Sequence, residues 1–158
     1  MPLATSASSM DVQMPVMDDF DAMRRIRQEP AAVAIAQIAA DAGVDLNAAL
    51  ERLGGLQDVY RNALAAFVVD LLVMPSQLSA YAQNMQHNNS RDDARRLMHT
   101  VKGLAATIGA TALSTAAASG EQAMGNSPDE QQVVLICDQV GTVITRALPG
   151  LQALSAVV

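Results

Sequence analysis

The chain has 158 residues, 51% of them apolar, with only 3% aromatics, no tryptophan and a formal net charge of −6. That length allows one ordinary domain plus an appendage, with a core of Ala, Leu, Val and Met in closely spaced helices. The acidic balance argues against nucleic acid as a general partner, and the single cysteine, Cys137, excludes an internal disulfide and fits a reducing cytoplasm.

Residues 1–9, rich in Ser, Ala and Thr, read as a disordered tail and lack the basic and apolar regions of a secretory signal. The run from Met10 to Arg27 then resembles the phosphoacceptor loop and following helix of a response-regulator receiver. Asp11 stands at the acceptor position, and Asp19 replaces the usual glycine. Only ten residues precede Asp11, the acidic pair that would hold Mg²⁺ is missing, and one strand cannot build a parallel sheet. Residues 10–28 are therefore expected to be a receiver remnant without receiver activity, a trace of descent from a hybrid kinase. Residues 29–44 are a linker or a helix.

From Leu56 to about Gln86 the spacing predicts one long helix, with Tyr60, Leu64, Phe67, Leu71, Met74, Leu78, Tyr81 and Met85 on its seam. Pro75 predicts a kink there. The most apolar stretch, Ala63 to Met74, is broken by Asp70 and is too short to span a bilayer. His87-Asn88-Asn89 predicts a turn, with Ser90 as N-cap of the next helix. Gly109 ends that helix, Ala110 to Met124 forms a short Ala-rich one, and Gly125-Asn126 breaks it. Ser127 is expected to cap a last helix opening at Pro128. Its seam is Val133, Cys137, Val140, Ile144, Ala147, Leu151, Leu154 and Val158, with Pro149 kinking or breaking the last turns. No segment alternates like a strand. The sum is an all-α chain, an antiparallel up-down four-helix bundle.

The second of these helices carries the chemistry. In helical register His99, Lys102, Gly103 and Ala106 share one face, continued by Asp92, Arg95 and Arg96. Ala94, Leu97, Met98, Val101, Leu104, Ala105 and Ile108 form the other. A face that served only solubility would not place glycine mid-helix, where it costs about 1 kcal/mol relative to alanine. Such a surface invites something to approach closely.

At these residues the chain resembles the histidine-containing phosphotransfer (HPt) domain of bacterial phosphorelays. That pattern has a His, a Lys three on, a Gly next, a Gly ten after the His and a Leu fourteen after. Here those are His99, Lys102, Gly103, Gly109 and Leu113. Glu121 stands twenty-two after His99, where the family tends to carry Gln or Glu. Asp45 to Gly55 is similar to the family's short lead-in helix, so the resemblance covers residues 45–158, about seven tenths of the chain.

The resemblance implies that His99 accepts a phosphoryl group from an aspartyl phosphate on a receiver and passes it to another receiver aspartate. A free imidazole titrates at about 6.5, so near neutral pH its nitrogen is a good nucleophile. Phosphoryl transfer then needs in-line positioning and cations on the equatorial oxygens. Lys102 is the candidate cation, and Gly103 and Ala106 leave room for the partner. Arg95 and Arg96 are candidates for docking an acidic receiver surface, and Glu121 for orienting the imidazole. Mg²⁺ is expected on the partner receiver, with no cofactor and no metal held by this chain. The expected partners are receiver domains and a hybrid sensor histidine kinase, without membrane insertion. The expected state is a monomer, with a dimer through the N-terminal arm as the alternative.

A lone His or an arginine on a helix face is more often solvated surface than a site; the joint pattern lifts His99 above that reading. His87 has no such company, and Arg91 reads as a solvated side chain. Gly109 reads as a helix-end glycine and Cys137 as a buried small hydrophobe. The alternative function is a helical module that binds a receiver or a kinase without transferring phosphate. An autonomous kinase or phosphatase finds no support, because no Gly-rich nucleotide loop or catalytic triad is visible. Two histidines and one cysteine do not make a zinc site.

Overall fold

Apolar residues spaced alternately four and three apart become packed helices in the structure, a computed structural model that describes residues 32–85 and 89–158. Helix α1 spans Ala32–Asp41, α2 Leu46–Arg52, α3 Gln57–Gln83, α4 Ser90–Ile108, α5 Thr111–Gly125 and α6 Glu130–Val157. Residues 37–158 form one compact unit; of residues 1–36, only the opening of α1 is described. The described residues contain no strand beyond an isolated antiparallel bridge between Val44 and Ala110. The receiver-like segment 10–28, the tail before it and His87 lie outside the described residues.

Helices α3 to α6 pack as an antiparallel four-helix bundle. Its main contacts are α3 with α6 and α4 with α5, closed by α3 with α4 and α5 with α6. Tyr60, Leu64, Phe67, Leu71, Met74 and Leu78 on α3 meet Val133, Cys137, Val140, Ile144, Leu151 and Leu154 on α6 in the core. Helix α4 adds Ala94, Met98, Val101, Ala105 and Ile108, and α5 adds Leu113, Ala117 and Met124. The predicted seams are these residues, except that Tyr81, Met85, Ala147 and Val158 are only half-buried. Cys137 is free and buried, and burial pushes its thiol up to about 11.

Several local expectations are corrected. The long helix stops at Gln83 rather than near Gln86, with Asn84 at its C-cap. Ser90 does not cap α4: it is the first helical residue, and its hydroxyl donates to the Asn84 carbonyl at 2.8 Å, tying α4 to the end of α3. Ser127 does not cap α6 either. It takes a left-handed φ of 52° and leads through Pro128 to Asp129. The Asp129 carboxylate accepts from Gln132 N at 2.8 Å, and the Gln132 side chain accepts from Asp129 N at 2.9 Å. That reciprocal box satisfies two orphan donors where Ser127 could serve one. Leu104, expected on the apolar face, is 37% exposed.

Neither proline breaks its helix: α3 runs through Pro75 and α6 through Pro149. Both helices are consequently long and apolar enough to cross a bilayer by length and composition, unlike the short stretch Ala63 to Met74. In this fold their seams are spent on each other and on α4 and α5.

The lead-in helix α2 is capped by the Asp45 carboxylate, which accepts from Ala48 N at 3.1 Å. It packs against α4 and holds that helix's C-terminal end. Helix α4 has no basic residue in its last turn, so its terminal carbonyls are met from elsewhere. Arg52 donates to the Ala106 carbonyl, the Tyr60 hydroxyl to Ile108 O at 2.8 Å, and Asp45 N to Gly109 O at 2.9 Å. Gly109 turns the chain at φ 89°, and a Cβ there would lie 2.5 Å from Asp45 O. Glycine is required at that position on both counts.

Candidate functional site

The polar face of α4 is displayed because the opposite face is consumed by the core. His99 is 65% exposed in its side chain and sits between buried Met98 and Val101. Its neighbour across the helix seam is Glu121, and a packing contact one residue earlier puts it there. At Gly120 a Cβ would lie 2.7 Å from Val140 Cγ2 and 2.9 Å from Met98 Sδ. Only glycine lets α5 come this close to both α4 and α6, and the next residue, Glu121, is thereby laid against α4.

The Glu121 carboxylate then bridges two groups of α4. His99 Nδ1 lies 2.6 Å from its Oε2, and Lys102 Nζ donates to its Oε1 at 2.5 Å. The Lys102 hydrogen bond, with further help from His99, holds the Glu121 carboxyl below its usual value of 4.5 against the opposing effect of desolvation. An ionised carboxylate only accepts, so Nδ1 carries the proton, and in the neutral ring Nε2 keeps its lone pair. The exposed imidazole thus carries its proton on Nδ1 and, among the described residues, leaves Nε2 without a partner.

The structure brings together His99 and Lys102, which share a helix face, and Glu121, which the family resemblance singled out. Arg95 and Arg96 lie one turn towards the N-terminus. With Asp92, His99 and Glu121 they line an open basin of about 270 Å³. Arg96 is exposed and holds Asp93 at 3.4 Å. Gly103 and Ala106 are exposed further along the face, and a Cβ at Gly103 would meet nothing within 4 Å. No neighbour among the described residues accounts for this glycine. Lys102 is anchored at both ends, because its carbonyl also accepts from the Ser114 hydroxyl at 3.1 Å.

Three participants were not singled out from sequence for this site. Gly120 sets the spacing of α4 and α5. Arg52 reaches Ala106 O from 54 residues away, beyond any local pattern. Gly125, read as a helix breaker, is the last residue of α5 and lies under the Arg95 guanidinium.

A family model of the Hpt domain matches residues 70–154, just over half of the chain. That match includes α4, α5, about half of α3 and most of α6. The comparisons give no evidence for a receiver-like segment at residues 10–28. No curated protein and no solved structure matches the chain.

Proposed function

The chain belongs to the Hpt domain family, the histidine phosphotransfer modules of phosphorelays, and from that premise we propose that His99 is its phosphoryl carrier. The donor is an aspartyl phosphate on a receiver domain of a two-component system or hybrid histidine kinase, and the acceptor is an aspartate of another receiver. The observation that carries this reading is the 2.6 Å contact between His99 Nδ1 and Glu121 on a ring left 65% exposed.

In this mechanism the Nε2 lone pair attacks phosphorus in line with the acyl phosphate bond. The P–Nε2 bond forms as the P–O bond to the aspartyl carboxyl breaks, and the carboxylate leaves with the bonding pair. The Nδ1 proton stays on the ring, and the Glu121 carboxylate stabilises the positive charge that develops there. Glu121 also holds the ring plane, and Lys102 neutralises Glu121 so that its charge repels the incoming phosphoryl group less. Gly103 and Ala106 admit the partner's loops, and Arg95 and Arg96 attract its acidic surface. Mg²⁺, which offsets charge on the transferring group, belongs to the receiver. The chain needs no kinase or phosphatase centre of its own for this exchange.

The test is phosphotransfer from a panel of phosphorylated receivers to the wild type and to His99→Gln. Acid-labile, base-stable label on the wild type alone is the expected result. A folded chain that binds a receiver and never takes label would be a docking module instead.

A further inference from the structure

Lys102 is the cation that the spacing puts next to His99, yet its ammonium is spent on Glu121 at 2.5 Å. Arg95 is differently placed. Among the described residues no carboxylate pairs with it, whereas Arg96 is held by Asp93. It lines the same basin as His99 and Glu121. Its guanidinium stands beside Gly125: a Cβ there would be 3.4 Å from Nη2, 3.5 Å from Cζ and 3.8 Å from Nε. Gly125 closes α5, whose last turn has no basic residue, so the negative end of the helix dipole meets the guanidinium there.

The register makes this arrangement side by side with the reactive ring. Arg95 precedes His99 by four residues on α4, and Gly125 follows Glu121 by four on α5. The pair Arg95–Gly125 therefore lies one turn along the same seam as the pair His99–Glu121. A guanidinium offers a rigid fork of donors suited to phosphoryl oxygens, which a point-charge ammonium does not. The Asp92 carboxylate in the same basin disfavours an anion, which raises the need for a cation that is not already paired.

We propose that Arg95, laid on Gly125, is the side chain that holds the equatorial oxygens of the phosphoryl group on His99, while Lys102 serves as the clamp on Glu121. This rests on His99 being the phosphoacceptor. It gives Arg95 a direct role at the reacting group, beyond attraction of a partner.

The two roles separate with a donor that has no docking surface. Phosphoramidate can load the full chain directly: Nε2 attacks phosphorus, the P–N bond to ammonia breaks, ammonia leaves, and the P–Nε2 bond forms. Wild type, Arg95→Ala, Arg95→Lys and Arg146→Ala, the last an exposed charge on α6, would be compared for loading rate and for lifetime of the phosphohistidine. Circular dichroism would confirm the helical fold in each. Arg95→Ala should load about tenfold more slowly, the loss of one charge-assisted contact. Arg95→Lys should recover part of the rate, and Arg146→Ala all of it. Wild-type loading in Arg95→Ala from phosphoramidate, with slow loading only from a receiver, would reduce Arg95 to docking and overturn the inference. A wild type that takes label from neither donor would overturn the phosphocarrier reading itself, and this inference with it.

Discussion

The two halves of the bundle are built on different terms. Helices α3 and α6 are 27 and 28 residues long, each runs through a proline, and they bury Tyr60, Phe67 and a series of Leu, Val and Ile side chains. Helices α4 and α5 are 19 and 15 residues, and α5 is mostly Ala, Ser, Thr and Gly. Among the described residues, the ion pair that links different helices, Lys102 with Glu121, joins α4 to α5, and the His99 imidazole meets the same carboxylate. Large side chains hold helices together at a distance and provide stability. Small ones let helices approach until polar side chains on their outer edges meet. The long half is thus a scaffold, and the short half sets the geometry around His99.

That division is easiest to break in the long half. Phe67→Ala should cost about 3–5 kcal/mol by chemical denaturation, the usual penalty for emptying a core aromatic site. Labelling of His99 per folded molecule should stay unchanged. A slowed reaction in the folded fraction would mean that the scaffold and the site are not separable.

In the short half the same kind of change should do both. Gly120→Ala places a Cβ against Val140 and Met98 and should destabilise by about 1–3 kcal/mol. It should also slow His99 labelling, because α5 carries Glu121 away from the ring. Measuring melting temperature and labelling rate on the same variant sharpens the comparison. Destabilisation with an unchanged rate would show that Glu121 does not depend on the spacing of the helices.

The smallest effect belongs to the charge on Glu121. Its carboxyl is held below 4.5 in the fold by Lys102 and His99, so the folded state favours the ionised form. The stabilisation is complete above 4.5 and is lost as pH falls through the lowered folded value. Glu121→Gln lacks that component, and its melting temperature should fall less steeply than the wild type's below pH 4.5. Parallel acid slopes would show that the Glu121 bridge adds nothing to stability.

Much of this was legible in the residues. The alternating four-and-three spacing of Tyr60 to Leu78 and of Val133 to Leu154 specifies buried helical seams, because a helix returns to the same face at that period. Gly109 marked the end of α4, and the spacing of His99, Lys102 and Gly103 within one helix marked the polar face. The N-caps of α4 and α6 were not legible. Ser90 and Ser127 stand where a cap belongs, but Ser90 spends its hydroxyl on Asn84, and Asp129 with Gln132 forms a better box. Leu104 follows the apolar pattern, yet among the described residues it is left 37% exposed.

Position along one helix is an intrinsic property of the chain, since it depends only on residue spacing and the pitch of the backbone. By itself the sequence therefore determined the elements, their buried faces and the exposed row from Arg95 to Ala106. Which side chains meet across that row depended on how closely two helices approach, and only the tertiary structure decided it. The contact at Gly120 brought Glu121 to His99 and Lys102, and Gly125 gave Arg95 a surface to lie on. The capture of the α4 terminal carbonyls by Arg52 and Tyr60 likewise links residues far apart in the chain. Such pairings arise from packing, where a single absent Cβ changes the distance between helices by more than a hydrogen bond can tolerate.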